Sequence, residues 1–162
     1  MVGITSYGAY IPLYRLPLIK IAKAWNVPPR GKGERSVANY DEDSLSMSVG
    51  ASVHALSGMD RSLIDGFYFA TTTSPYAEKM VSTIGAAALD FSPETRTLDF
   101  TNSLRSGTGA MIAAIDALKA GSLNNVLIAA WTSEVRIMSV PALIVPRHGA
   151  AAVVIGNTDV AA

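Results

Sequence analysis

The sequence predicts an α/β domain in which a mainly parallel sheet is covered by helices on both faces. Short apolar runs alternate along the chain with segments whose apolar residues recur at three- and four-residue spacing. Two of these runs, 66–70 and 126–130, have the length and composition of buried parallel strands. Apolar residues make up 49% of the 162 residues and charged residues only 16%. This surplus requires either a large two-faced core or a partner that covers it.

Composition and charge exclude several classes of protein. Thirteen basic residues balance thirteen acidic ones, so no broad electrostatic field attracts nucleic acid or an anionic membrane. The absence of cysteine excludes disulfides and thiolate metal sites and agrees with a reducing compartment. No basic leader precedes an apolar run, and no apolar stretch approaches about 18 residues. We therefore expect a single cytoplasmic domain over residues 1–162.

The N-terminal part predicts one strand, one helix and a loop. Residues 2–10 are β-prone and form the expected opening strand. Apolar residues at helical spacing predict a helix over 16–25, and the prolines and glycines of 26–39 predict a loop. A basic cluster in this loop could bind a phosphorylated ligand, although a solvated loop is the more frequent case. Its members are Arg30, Lys32 and Arg35.

Two further helices are predicted from start signals and apolar stripes. The acidic and hydroxyl residues 41–44 indicate a helix start, and a second helix is expected over 78–89. His54 lies beside the first stripe, where a structural or surface role is more frequent than ligand binding. The first stripe consists of Leu45, Val49, Val53 and Leu56, and the second of Met80, Ile84, Ala87 and Ala88.

The stretch 97–121 organises the rest of the chain. A short strand, 97–100, leads through a polar turn into a helix with the apolar face Met111, Ile112, Ile115 and Leu118. Several α/β enzymes hold a nucleophile at such a turn, because free N–H groups at the helix start favour negative charge. An ordinary strand–helix connection explains the same pattern. Ser103 or Ser106 could attack an acyl group only with a base in reach, and nothing in the sequence places His54 or His148 there.

Hydroxyl residues 71–74 follow the strand over 66–70, at the edge where ligands of open parallel sheets gather. Another strand is expected over 123–131, and Pro141 and Pro146 predict an irregular excursion within 132–147. A strand of small residues over 149–156 completes the pattern. The sequence therefore places any ligand site where the chain leaves the central strands.

Four segments, taken in order, resemble the N-terminal half of the thiolase superfamily, and hydroxymethylglutaryl-CoA synthase in particular. They are the opening strand with its Tyr-Ile-Pro end (2–12), the Asp-Glu-Asp helix (41–56), the nucleophile turn (99–108) and the last strand (149–156). The resemblance implies a thiolase-like half-domain whose C-terminal half is absent from this chain. It also implies a homodimer, or a heteromer with a thiolase-fold partner.

The resemblance implies a condensation reaction, but the catalytic side chains that carry it out in the family are replaced in this sequence. The family condenses acyl-CoA thioesters with a cysteine nucleophile, a glutamate and a histidine from the C-terminal half. The position of the cysteine falls on Leu104 and that of the glutamate on about Thr72, while His148 replaces an aspartate of the last strand. Leucine cannot attack a carbonyl, and Thr72 offers no carboxylate base.

Three hypotheses follow from this resemblance. The chain is an acyltransferase half in which Ser103 or Ser106 takes an acyl group, a non-catalytic subunit that pairs with a thiolase, or a truncated reading frame. The first two imply a CoA thioester as a possible ligand, with no bound cofactor and no metal, and Arg30, Lys32 and Arg35 as candidates for CoA binding. A Rossmann-type dehydrogenase is disfavoured, since no Gly-x-Gly-x-x-Gly follows the first strand.

Overall fold

The computed structural model describes residues 1–29, 31–133 and 148–157. A 3-10 turn at Arg61–Leu63 precedes the fourth strand. The strands and helices are, in chain order, β1 (Val2–Tyr10), β2 (Tyr14–Pro17), α1 (Leu18–Ala24), β3 (Glu34–Val37), α2 (Ser44–Ala55), β4 (Gly66–Thr71), α3 (Val81–Ala88), β5 (Arg96–Phe100), α4 (Ser106–Lys119), β6 (Asn125–Ser133) and β7 (His148–Asn157).

Within the described residues, five strands form one mixed sheet in the order β1-β7-β6-β4-β5. Strand β4 is parallel to both β5 and β6, so all three end at the same edge. Strand β7 runs antiparallel between β6 and β1, with Ala150 opposite both Trp131 and Tyr10. The carboxyl ends of β1, β4 and β6 therefore meet the beginning of β7 at one edge.

Helices cover both faces of this sheet and confirm the predicted α/β architecture. One face packs on α2 and α3 through a core that includes Met47, Ala51, Val81, Phe67 and Leu127. The other face packs on α4 through a core that includes Ala110, Ala114, Tyr68, Ile128 and Ile155. Strand β4 is buried along its whole length, as expected for the centre of a parallel sheet.

The N-terminal region differs from its prediction. The helix expected over 16–25 begins only at Leu18, because the residues before it form β2. The loop expected over 26–39 contains β3, which pairs antiparallel with β2. Each strand is four residues long, too short for an alternating pattern to register. Pairing between residues distant in the chain therefore decides the conformation here.

The buried face of α2 also differs from its predicted stripe. Val53 is exposed, and Leu45 and Val49 are only half-buried, while the helix buries a row of small and polar residues with one methionine. This row comprises Ser44, Met47, Ser48, Ala51, Ser52 and Ala55. The small residues face the sheet because β1 lies too close for bulky side chains. Leu56, at the end of the helix, is buried as predicted.

Helices α3 and α4 show the same shift toward small residues. Helix α3 begins at Val81 and not at 78, and it buries Val81, Ser82, Gly85 and Ala86 in place of the predicted face. Helix α4 buries Ala110, Ala114 and, as predicted, Leu118. Of the other predicted residues, Met111 and Ile115 are half-buried against the same core, while Ile112 is 57% exposed. Apolar periodicity predicted the helices correctly but assigned the bulkiest side chains to the contact surface. Close helix–sheet packing selects the small ones.

Of the irregular excursion predicted for 132–147, the structure describes only residues 132 and 133, which belong to β6. Residues 134–147 lie outside the described residues. Among the described residues, no helix is long and apolar enough to cross a membrane.

Candidate functional site

A cavity of about 440 Å³ opens at the edge where β4 and β6 end and α4 begins. It draws its walls from four strands, the turn after β5 and the first residues of α4. The residues that line it are Tyr10, Ile11, Ala70, Thr72, Leu104, Ser106, Gly107, Thr108, Ala130, Trp131, Gly149, Ala150 and Ala151. The structure thus places a cavity at the sheet edge that the sequence indicated as the ligand site.

The turn between β5 and α4 brings Leu104 to this cavity. Asn102 adopts a left-handed backbone conformation with φ of 62°, which asparagine tolerates better than most residues. The Ser103 hydroxyl accepts a hydrogen bond from the backbone N–H of Arg105 at 3.1 Å, and its carbonyl accepts one from Ser106. These bonds close the turn and leave Leu104 projecting, 73% exposed, at the mouth of the cavity.

The first residues of α4 form the floor beside Leu104. The residue preceding the helix, Arg105, provides no side-chain cap. Ser106, Gly107 and Thr108 line the cavity, so the amino end of a 14-residue helix adjoins it. Uncapped N–H groups and the helix dipole favour a carbonyl oxygen or an anion at this end.

Thr72 reaches the cavity from the end of β4. The preceding Thr71 is buried, and its hydroxyl accepts a hydrogen bond from the backbone N–H of Thr73 at 3.1 Å. This local bond turns the chain after the strand and leaves Thr72 half-buried in the cavity wall. Leu104, Ser106 and Thr72 therefore share one cavity, whereas Ser103 lies outside its lining.

Asp99 connects the turn to the opposite helix. Its carboxylate accepts hydrogen bonds from the backbone N–H groups of Val81, at 2.6 Å, and Ser82, at 2.8 Å. Helix α3 has no side-chain cap at Met80, so this carboxylate from β5 satisfies its first donors. The interaction fixes the start of α3 against the strand that carries the turn. The sequence places Asp99 in the strand and at the start of the nucleophile turn, but no local pattern indicates its contact with α3, since the two partners lie 18 and 17 residues away.

Trp131, which lines the cavity, contacts His148 beside it, and sequence reasoning missed this pairing. Their rings stack with centroids 6.2 Å apart and planes within 9° of parallel. The Nδ1 atom of His148 lies 2.7 Å from the backbone N–H of Ala38, which donates to it. Burial lowers the pKa of His148, and the nearby Glu42 carboxylate only partly opposes this effect. A neutral imidazole that accepts at Nδ1 is therefore the form that fits.

Tyr10 separates this cavity from a second one. Its hydroxyl donates a hydrogen bond to the Glu42 carboxylate, and this bond is the main cause that raises the pKa of Tyr10. The backbone N–H of Asn39 donates to the other oxygen of Glu42 at 2.7 Å. The second cavity has a volume of about 460 Å³ and is lined by Tyr10, Leu13, Tyr14, Asn39, Asp41, Glu42, Ser46 and Met47.

The remaining predicted residues lie away from the cavity or outside the described residues. His54 is exposed, with its Nδ1 atom 2.8 Å from the carbonyl oxygen of Ala9, so it holds β1 and α2 together. Lys32 is exposed before β3, and Arg35 is half-buried within that strand. Arg30 lies outside the described residues. Over the described ranges, no group of three or more His, Asp or Glu side chains is arranged to hold a metal ion.

Comparison with known proteins relates this fold to solved structures of one fold type. No family model matches the chain. The chain superimposes on 3-oxoacyl-[acyl-carrier-protein] synthase III from Aquifex aeolicus with a TM-score of 0.86 at 20% identity, over 98% of this chain and 55% of that one. It superimposes on MvaS in complex with 3-hydroxy-3-methylglutaryl coenzyme A with a TM-score of 0.82 at 20% identity, over 96% of this chain and 40% of that one.

Sequence comparison gives a narrower relationship. The hydroxymethylglutaryl-CoA synthase of Thermococcus gammatolerans is 37% identical over 116 residues, which are 70% of this chain and 33% of the relative. That of Thermococcus kodakarensis is 35% identical over 138 residues, which are 83% of this chain and 39% of the relative. The chain thus spans between a third and two fifths of the length of these relatives.

Fold and sequence together place the chain in the thiolase superfamily. Within it, the chain is hydroxymethylglutaryl-CoA synthase-like, and the share of these relatives that it spans fits a half of such a protein. The resemblance drawn from the four sequence segments is confirmed.

Proposed function

We propose that this chain binds an acyl-CoA thioester in the cavity at the end of β4 and β6, and that it does so without forming a covalent acyl-enzyme. It acts as the N-terminal half of a hydroxymethylglutaryl-CoA synthase-like condensing enzyme in which Leu104 occupies the nucleophile position and Thr72 the general-base position. The observation that carries the proposal is the convergence of Leu104, Thr72 and the start of α4 on one cavity.

The chemistry of the lining supports binding without attack. Leu104 presents a hydrocarbon where an acyl acceptor would be needed. Ser106 shares the cavity, but among the described residues no histidine or carboxylate hydrogen-bonds its hydroxyl. An unactivated serine is a weak nucleophile. The amino end of α4 would instead hold the thioester carbonyl by hydrogen bonding.

The two-stranded sheet of β2 and β3 is the proposed position of the CoA phosphates. His148 connects it to the cavity wall, because its ring stacks on Trp131 and accepts from Ala38 directly after β3. Arg35 lies in β3, and Lys32 lies in the loop directly before it. We propose that these two cations, together with Arg30, meet the nucleotide part of CoA.

Calorimetric titration with acetyl-CoA and with free CoA, combined with intact-protein mass spectrometry, tests the proposal. We expect acetyl-CoA to bind more tightly than CoA and the protein mass to stay unchanged. An acetylated protein would contradict non-covalent binding, and the absence of any acyl-CoA binding would contradict the function.

Matched variants locate the ligand. Leu104→Asp places a charge at the cavity mouth and is expected to weaken acetyl-CoA binding at least tenfold. Leu13→Asp adds the same charge at an exposed leucine outside this cavity and is expected to leave binding unchanged.

Lys32→Glu should weaken CoA binding and its dependence on salt. Lys119→Glu, at the opposite end of α4, should not.

A second candidate function is that of a non-catalytic partner for a thiolase-fold chain, and the exposed surface favours it. Strand β5 ends the described sheet, and Leu98 on it is 38% exposed. Ile112 projects from α4. Unpaired strand edges beside exposed apolar side chains are sites of association. Light scattering after size exclusion, with and without Leu98→Lys, tests this role. A monomer unaffected by the substitution would contradict it.

A further inference from the structure

His148 joins the two-stranded sheet of β2 and β3 to the main sheet. It is the first residue of β7 and lies opposite Ser133 of β6. Its carbonyl oxygen accepts a hydrogen bond from the Ser36 hydroxyl of β3 at 2.7 Å. Its ring accepts a second one at Nδ1, also at 2.7 Å, from the backbone N–H of Ala38 directly after β3. The two-stranded sheet is therefore attached through both the backbone and the ring of His148.

The ring bond requires a neutral imidazole. A backbone N–H can only donate, so Nδ1 of His148 has to direct a lone pair toward Ala38. A protonated imidazole carries hydrogen on both nitrogens, and two donors at this distance cannot bond to each other. Protonation therefore removes the ring bond and leaves the N–H of Ala38 without this acceptor. Only the bond from Ser36 to the carbonyl oxygen can persist.

Charges near the ring come from three neighbouring parts of the fold. The charged or titratable side chains there are Glu34 and Arg35 of β3, Tyr10 of β1, and Asp41, Glu42 and Asp43 before α2. The Glu42 carboxylate favours a protonated ring, but burial outweighs it and lowers the pKa of His148. The ring also stacks on the indole of Trp131, which does not titrate. The ring is therefore neutral at neutral pH and gains its charge on acidification.

We infer that protonation of His148 releases the two-stranded sheet of β2 and β3 from the start of β7, so that His148 is a pH-sensitive switch. Attachment weakens as the pH falls below the ordinary histidine pKa of about 6.5, because the released state binds the proton more readily. A single proton raises the equilibrium constant for release by at most about tenfold per pH unit. The consequence for the ligand rests on the proposed function: Lys32 and Arg35 move with the sheet, and the affinity for CoA falls over the same pH range.

Distances between spin labels, measured by pulsed electron paramagnetic resonance, test the release. The chain contains no cysteine, so labels can be attached at chosen exposed residues. Glu34→Cys with Lys119→Cys spans from β3 to the end of α4. Ser57→Cys with Lys119→Cys is the matched pair, because Ser57 follows α2, which packs on the main sheet. Below about pH 6.5 we expect a second distance to appear in the first pair and to grow by up to about tenfold per pH unit, with no change in the matched pair.

His148→Gln keeps an acceptor for Ala38 but does not titrate, so the second distance should not appear in it, and His54→Gln is the control. A second distance that grows equally in His148→Gln would overturn the inference. It would also be overturned by a wild type without a second distance, or by a matched pair that changes in step, since this would show global unfolding. Acetyl-CoA titration over the same range separates the two proposals. If wild type binds no acyl-CoA at any pH, the proposed function is overturned, and the labelled pairs still decide on the switch.

Discussion

Gly8 of β1 lies directly against Ala51 of α2, and a Cβ atom at Gly8 would overlap the carbonyl oxygen of Ala51. It would also overlap the backbone of Ala55 one turn later. The strand and the helix therefore pack backbone against backbone. This approach explains why α2 turns alanines and serines toward the sheet and leaves Val53 exposed.

Gly8→Ala should consequently destabilise the fold. Neither neighbour is a flexible side chain, so the strand or the helix has to move, and we expect the free energy of unfolding to fall by about 3 kcal/mol. Gly109→Ala is the control within helix α4, where the added methyl would meet only the Phe100 ring at an ordinary 3.8 Å. It should stabilise by about 0.5–1 kcal/mol. Denaturant unfolding of both variants checks this, and equal effects would contradict the close packing.

The Asp99 carboxylate provides a second prediction. Asp99→Asn retains an acceptor oxygen, but its NH₂ group faces one of the two donors at the start of α3, and its charge is lost. We expect a loss of about 1–2 kcal/mol in stability. Asp90→Asn makes the same change at a surface carboxylate that pairs with Arg61 at 3.4 Å. That change should cost less than about 0.5 kcal/mol, since exposed ion pairs contribute little. Matching losses in the two variants would refute the capping role of Asp99.

His148 should make stability depend on pH. Because burial lowers its pKa in the folded protein, the unfolded chain binds a proton more readily between that lowered value and about 6.5. The free energy of unfolding should therefore fall as the pH drops through this window. Chemical denaturation at decreasing pH, starting about one unit above the ordinary histidine pKa of about 6.5, measures it.

His148→Gln supplies the comparison for this pH dependence. Its amide oxygen can accept from Ala38 but does not titrate, so we expect a flatter profile than wild type over the same pH range. His54→Gln, which removes the other histidine of the chain, is the matched control. A wild-type slope that survives in the His148 variant would show that other groups cause it.

The sequence predicted the order of the large elements because each buried strand or helix carries its apolar residues within one short stretch of the chain. Strand β4 and the strand–turn–helix around Leu104 are of this kind. The pairing of β2 with β3 was missed because it joins residues up to 23 positions apart, such as Tyr14 and Val37. The helix faces were only partly right: Leu56 and Leu118 are buried as predicted, but Val53 and Ile112 are exposed. Periodicity records where apolar residues recur and not how closely a strand approaches.

The candidate site was predicted in part for the same reason. Leu104 and Ser106 belong to one local motif, and Thr72 follows a recognisable strand, so the sequence indicates their common sheet edge, where all three line the cavity; their roles stay predictions. Trp131 and His148 are 17 residues apart, and only the antiparallel pairing of β6 and β7 brings their rings together. No local pattern around either residue signals that contact.

The central claim is that Leu104 occupies the position of a nucleophile in an acyl-thioester cavity, and cysteine scanning of the turn tests it most directly. In Leu104→Cys, a thiolate next to the start of α4 would attack acetyl-CoA, form a thioester with the protein and release CoA as the leaving group. Ser103→Cys places the same thiol one residue earlier, outside the cavity lining. Mass spectrometry after incubation with acetyl-CoA measures the acetylated fraction of each variant. We expect acetylation of the Leu104 variant to be at least tenfold faster than that of the Ser103 variant, with none for wild type. Equal rates for the two variants would contradict the claim.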